Sequence, residues 1–443
     1  MLNNYQLIFY VMKKNLFNSS NSSSYLTAFY GLVILFFFVG FLTTINAQLN
    51  EPLKKVFLEG ISFENAFGTL SVFMWFLAYP AVGWIGSRWV DRYGSKGTLI
   101  RGLLIMIIGL CISALSSTEF LLEKVSISAL GIEIPKGFFV FLLGTFTIGS
   151  SASILQVILN PYLRACEIEG TSATQRLNIG GTFNSAATVI APFFVSAIMF
   201  GGLSMEQVKV SQLLTPFLCL AGVIALLAFI ASKLSLPDIE NTRDTGEKLE
   251  KSVWSFTHFT LGVVSIACYV GAEVSVGSNI NSFVVEKFNF AANKTLLGMA
   301  VPFFVATLYW GGMFVGRLVS STLLKAVLPK MQLAVAASFA IIFILLAIIL
   351  NNPWLLVVVG LVHAPMWGSI FVLSTEGLGK YLNKAGGMFM IGVVGGAILP
   401  TLQGGMADAW GHQWRWTWFI VIAAEIYILY YALIGSKRKP TDE

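Results

Sequence analysis

The sequence predicts an all-α membrane protein of twelve spanning helices, built as two pseudo-symmetric six-helix bundles. Three observations predict it. Twelve apolar runs, each long enough to cross hydrocarbon, follow one another along 443 residues. Charged residues are 11% of the chain, where a soluble domain carries about a quarter. The longest polar interruption, 237–253, divides the runs six and six. With 56% apolar residues and a mean hydropathy of +0.77, a soluble enzyme is excluded. An outer-membrane barrel is excluded as well, because its alternating strands give no continuous apolar runs.

The runs lie at 25–49, 66–86, 98–116, 137–163, 177–199, 213–235, 255–282, 295–318, 331–350, 354–375, 386–407 and 416–435. Each reaches across about 30 Å as a helix, the form that satisfies every backbone group within one segment. This gives an N-terminal tail at 1–24, a bundle at 25–236, a linker at 237–253, a second bundle at 254–435 and a tail at 436–443. An even number of spans returns both ends to one side. Of the 28 Lys and Arg residues, 20 fall in segments on that side and 8 on the other, which predicts both termini in the cytoplasm. Residues 1–24, with Lys13, Lys14 and then a Ser/Asn-rich stretch, show no small-residue cleavage site and read as a tail, not a signal peptide. The net charge of +6 follows from this loop bias and calls for no nucleic acid.

Cys111, Cys166, Cys219 and Cys268 form no CxxC pair, and the three histidines are scattered, so neither a metal centre nor a catalytic constellation is predicted. An internal repeat supports the two halves. Arg176 precedes Pro192 by sixteen residues, and Lys384 precedes Pro400 by the same spacing. Broken spans at matching places in two halves predict an alternating-access carrier with a site at mid-membrane.

Polar side chains inside spans are costly in lipid and tend to face a cavity. Thr43, Asn46 and Asn50 share one face of span one; Ser153, Gln156 and Asn160 share one in span four; Gly181, Asn184 and Thr188 share one in span five. Amides both donate and accept, which suits a neutral polyhydroxylated ligand. Asn46, Gln156, Asn160, Asn184, Asn279 and Gln403 are therefore the candidate hydroxyl contacts, with Trp367 as a stacking wall. Interhelical bonding is the competing use of such residues. Glu273 and Glu425 are the acids well inside predicted spans. Glu273, among Gly and Ser residues, is the candidate cation or substrate contact. Glu425, in an aromatic span, reads as a packing or snorkelling residue, and His363 as a hydrogen-bonded histidine that could also relay protons.

The loop Gly86-Ser-Arg88-Trp-Val-Asp91-Arg92-Tyr-Gly94 resembles the signature loop of the major facilitator superfamily, with Ser87 where a glycine is expected. Further matches resemble its fucose–galactose–glucose symporter family. They include Gly40-Phe41 to Asn46, Asn160-Pro161-Tyr162, Arg176-Leu177-Asn178, Phe183-Asn184-Ser185, Gly271-Ala-Glu273 through Ser278, Gly316-Arg317, and Gly377 through Asp408. The resemblance implies the major facilitator fold, hexose uptake through a bacterial inner membrane, and a monomer. It also implies gating at the cytoplasmic side by Asp91, Arg92 and Arg317.

Two departures bear on coupling. Where proton-coupled relatives carry an aspartate after the span-one Asn this chain has Ala47, and where they carry a glutamate before the Asn-Pro of span four it has Gln156. A span-five glutamine that contacts sugar in the fucose permease appears here as Gly181. Neither alanine nor an amide titrates near neutral pH. The expected function is a hexose transporter using Na⁺ symport or facilitated uniport, with Glu273, Asn46 or Gln156 as oxygen donors to a bound Na⁺. A proton-coupled carrier of an amino sugar, a sugar acid or another small polar solute is the alternative. A sugar sensor would need an output domain, and Ser436 to Glu443 is too short for one.

Overall fold

The computed structural model describes residues 4–127, 132–166, 168, 173–204, 207–233, 251–288, 294–323 and 327–437. Most of the linker, 237–250, and the last residues of the C-terminal tail, 438–443, lie outside them. Helix α1 spans Asn4–Gln48, so the segment expected as a tail continues the first helix, whose apolar part is Leu26–Gln48. Short helices α2 (Asn50–Phe57) and α3 (Glu64–Gly68) follow.

Helix α4, Leu70–Leu115, has 46 residues, about 69 Å at 1.5 Å per residue and more than twice the hydrocarbon thickness. It breaks at Gly94, where φ is +70° and ψ 170°, a conformation that a side chain would strain. In a straight helix Arg101 would lie about 12 Å beyond Tyr93, yet its guanidinium sits 3.7 Å over the Tyr93 ring. The chain reverses there, so the eleven long apolar helical segments give twelve spans.

The remaining spans of the first half are α5 (Lys136–Ala165), α6 (Ala173–Phe193) and α7 (Leu214–Lys233). A small hairpin, β1 (Lys124–Ile127) with β2 (Ile132–Pro135), joins α4 to α5. Just outside it the Lys136 ammonium bonds the Glu123 carboxylate and holds that carboxyl below its usual range.

The second half begins with α8 (Thr257–Lys287), followed by the short hairpin β3 (Thr295–Leu296) and β4 (Met299–Ala300) and by α9 (Val301–Leu323) and α10 (Pro329–Ile349). Span ten is α11 (Trp354–His363) and α12 (Met366–Thr375), interrupted at Ala364-Pro365, where proline withholds an N–H. Span eleven is α13 (Leu382–Phe389) and α14 (Gly395–Ala409), joined by a tighter turn at Met390–Val394, and α15 (Trp414–Tyr430) ends the bundle. The proline repeat is only half realised. After Pro192 the helix widens over Phe194–Met199, whereas Pro400 sits inside continuous α14.

Spans within each half pack on one another, and the halves meet chiefly where α4 touches α14 and α6 touches α9. Counted as spans, these pairs are two with eleven and five with eight, and a shift of six converts one into the other. That is the pseudo-two-fold relation expected of the two bundles. Leu226, Phe229 and Ile349 project outward, as they do when the surrounding solvent is lipid.

Candidate functional site

Between the halves lies a cavity of about 140 Å³. An apolar cavity of about 150 Å³ takes a benzene ring, so this space is on the scale of one six-membered ring. The first half contributes Thr43 from α1, Tyr79 from α4, Gln156 from α5 and Asn184 with Thr188 from α6. The second contributes Glu273 from α8, Trp310 and Arg317 from α9, and Trp367 from α12.

Most polar groups of the wall are held by a neighbour. Gln156 donates its amide to Tyr79 Oη at 2.9 Å, and Asn184 donates to the Phe36 carbonyl at 2.9 Å. Asn184 is also pressed against Gly40, where a Cβ would stand 2.4 Å from its Nδ2. Arg317 spans the cavity: Nη1 donates to Ser185 Oγ of the other half at 2.8 Å, while Nη2 lies 3.8 Å from Glu273 Oε1. Trp367 meets Tyr269 and Phe389 edge-on, with centroids 6.4 and 6.1 Å away. Trp310 Nε1 is buried and has no hydrogen-bond partner among the described residues, an unused donor at the cavity wall.

Of the residues predicted to meet the ligand, Gln156, Asn184, Glu273 and Trp367 converge here, and Arg317 joins them. Four do not. Asn46 is buried and donates to the Ser71 carbonyl at 3.2 Å, bonding α1 to α4. Asn160 returns to its own helix, donating to the Gln156 carbonyl. Asn279 donates to Gln403 Oε1 at 2.9 Å and accepts from Asn50, while Gln403 donates to Thr417, so this pair is interhelical bonding. Ala47 is buried, and a Cβ on Gly181 would meet open space. Asp91 and Arg92 are exposed, with the Arg92 guanidinium 5.3 Å over Tyr93.

Beyond the cavity, toward the Gln48 end of α1, polar bonds join the halves. Gln48 donates to the Gly277 carbonyl at 2.8 Å and accepts from Asn281 at 3.0 Å. Lys54 bonds Glu51 and reaches Asn65, and Glu51 also accepts from Ser282. Asp408 accepts the Asn65 amide and the Ala66 backbone N–H, both at 2.8 Å. Single-span patterning missed this latch, since Glu51, Lys54 and Asn65 stand in what reads as a loop.

Of the two readings of Glu425, packing and snorkelling, the first is met: it is fully buried and bonds His363 Nε2 at 2.9 Å.

No protein-family model matches the chain. A glucose/galactose transporter of Brucella abortus is 31% identical over 425 residues, covering 95% of this chain and 96% of that one. A putative glucose/galactose transporter of Helicobacter pylori is 30% identical over 423 residues, covering 92% and 96%. The L-fucose-proton symporter of Escherichia coli is 23% identical over 426 residues, covering 89% and 90%. Among solved structures, the fucose transporter FucP in its outward conformation superposes with a TM-score of 0.65 at 19% identity, covering 94% of this chain and all of that one. The inward-open xylose transporter XylE of E. coli gives 0.66 at 12%, covering 94% and 97%. Over nearly its whole length, therefore, the chain belongs to the fucose–galactose–glucose family of the major facilitator superfamily.

Proposed function

We propose that this protein carries a hexose such as glucose or galactose across the bacterial inner membrane by alternating access. The observation that carries this reading is the ring-sized cavity between the halves. It has amides and a phenol on one side and indoles with a charge pair on the other. The relatives named as glucose/galactose transporters support the same substrate class.

Gln156, Asn184 and Tyr79 would bond sugar hydroxyls, and Trp367 with Trp310 would cover the ring's apolar face. The halves 25–236 and 254–435 would rock about this site, tethered by 237–253, with both termini in the cytoplasm. In that orientation the Gln48–Asp408 latch is the closed outer gate and the cavity is served from inside. Arg317, bonded to both halves at the cavity, is the residue placed to sense occupancy.

Ala47 and Gln156 leave the first half without a titratable group at the family's proton positions. Within that half Na⁺ symport and uncoupled passage are the available readings; a coupling proton would have to be taken by the second half. The Arg317–Glu273 pair also favours testing charged sugars, since it offers one charge of each sign. The experiment is hexose counterflow and net uptake in proteoliposomes, with inward Na⁺ and H⁺ gradients imposed separately at fixed membrane potential. Counterflow of glucose or galactose is expected; its absence for every hexose, with uptake of an amino sugar or sugar acid instead, overturns the hexose reading.

A further inference from the structure

The core of the second half holds three fully buried side chains in one line. Glu425 Oε1 lies 2.9 Å from His363 Nε2, and His363 Nδ1 lies 3.0 Å from Tyr309 Oη. Tyr309 Oη in turn lies 3.2 Å from the carbonyl of Glu273, on the helix wall of the cavity. Glu425 Oε2 has no hydrogen-bond partner among the described residues.

The line admits two proton inventories, because the one hydrogen of Tyr309 can go to the Glu273 carbonyl or to His363 Nδ1. In the first, Tyr309 Oη accepts from His363, which places a proton on Nδ1, and the contact between Nε2 and Oε1 then holds a further proton, on either atom. Carboxylate with imidazolium and carboxylic acid with imidazole carry the same count, and both are neutral overall. In the second, which has one proton fewer, the imidazole hydrogen sits on Nε2 facing the carboxylate, Tyr309 donates to Nδ1, and the pair holds one negative charge at zero exposure.

We infer that the Glu425–His363 pair is a proton-binding site, and that the proton it holds is the coupling ion of this carrier. The inference rests on the transport reading above and names its ion. Binding is written as glutamate carboxylate plus neutral imidazole plus one proton from water, giving the neutral pair; release reverses it and leaves one negative charge.

Release also switches a hydrogen bond. The remaining imidazole proton moves to Nε2 to face the carboxylate, Nδ1 becomes an acceptor, and Tyr309 turns its hydrogen from the Glu273 carbonyl to His363. The pair thus has two discrete arrangements, and the difference is felt at α8 and α9, the helices that carry Glu273 and Arg317. The other groups facing it are Cys268 and Tyr269 on α8, whose Cys268 feels the charge of Glu425 and whose Tyr269 ring lies 6.0 Å from the His363 ring. Glu273 on α8 is also near enough for its charge to feel His363, and Arg317 on α9 pairs with Glu273. The titratable group of α10, Lys330, stands at that helix's far end.

The test uses the full-length protein in proteoliposomes free of Na⁺. Sugar addition should drive proton entry, read as alkalinisation of a weakly buffered exterior, and an inward proton gradient should drive hexose accumulation. Glu425→Gln should lower gradient-driven accumulation by about tenfold or more while counterflow exchange persists. His363→Gln should do the same, and Tyr309→Phe should weaken coupling less. If wild-type protein exchanges hexose but moves no proton with it, or if Glu425→Gln accumulates hexose as wild type does, the inference is overturned. If wild-type protein shows no hexose counterflow, the transport reading itself has failed. The wild-type proton measurement decides the matter even where a variant does not fold.

Discussion

Asp408, near the end of α14, accepts the side-chain amide of Asn65 at 2.8 Å across the boundary between the two halves. The same carboxylate accepts the N–H groups of Asn65 at 3.2 Å and Ala66 at 2.8 Å. A bond to a charged acceptor contributes about 1.5–3 kcal/mol. Asp408→Ala should therefore favour opening at this end. A cysteine placed at Thr43 in the cavity should react with an impermeant maleimide added outside about tenfold faster or more in that background. An unchanged rate would mean that Asp408 does not hold this end shut.

Gly40→Ala should disable the cavity without unfolding the protein. The new methyl group would stand 2.4 Å from Asn184 Nδ2, which can move, and 2.9 Å from the Asn184 carbonyl, which cannot without shifting α6. Hexose counterflow should fall by about tenfold or more while the purified protein stays monodisperse. Counterflow at the wild-type rate would remove Asn184 from the site.

Gln156→Ala removes one amide from the wall, and the loss of one hydrogen bond of about 1–2 kcal/mol should raise KM by roughly 5- to 30-fold. Tyr79→Phe, which removes the hydroxyl that holds Gln156, should give a smaller rise in the same direction. A fall in the maximal rate with KM unchanged would place Gln156 in the conformational step, not in binding.

Arg317→Gln leaves Glu273 without its partner and releases Ser185. Transport should drop by about tenfold or more, and Glu273→Gln in the same chain should restore part of it, because the uncompensated carboxylate is then gone. A double variant no better than the single one would assign the effect to Ser185 alone.

Cys166 lies just past the end of span four, and burial pushes its thiol up to about 11. A raised thiol pKa favours the neutral form, so reactivity appears only as pH climbs toward that value. At pH 8 the thiolate fraction is about 200-fold below that of a free cysteine. Maleimide should spare Cys166 at pH 8 in the native protein and label it after denaturation; fast native labelling would contradict its burial.

The spans were legible because lipid imposes one requirement, a long apolar helix, that composition reveals directly. The turn between spans two and three was legible too, as the charged, glycine-bearing loop between 86 and 98, and the break falls inside it at Gly94. The site was legible only in part, and Thr43, Asn46 and Asn50 show why. Thr43 and Asn50 do share a face, but they differ by about 10 Å in depth. Thr43 therefore reaches the cavity, while Asn50 reaches the latch and bonds Asn279. Periodicity reports direction around a helix axis and says nothing of what stands opposite at each depth. The Glu425–His363 contact was hidden for a related reason. The two residues lie 62 positions apart on different spans, and neither residue's local sequence names the other.

Three of the bonds that close the Gln48 end, the outer end in the proposed orientation, join neutral partners: Gln48 with Gly277 and Asn281, and Asn50 with Asn279. Dissolved ions screen charge–charge attraction and leave amide bonds almost untouched. This neutral share of the seal keeps its strength from dilute water to brine, so that part of the cell's permeability barrier would not loosen when the salinity outside changes.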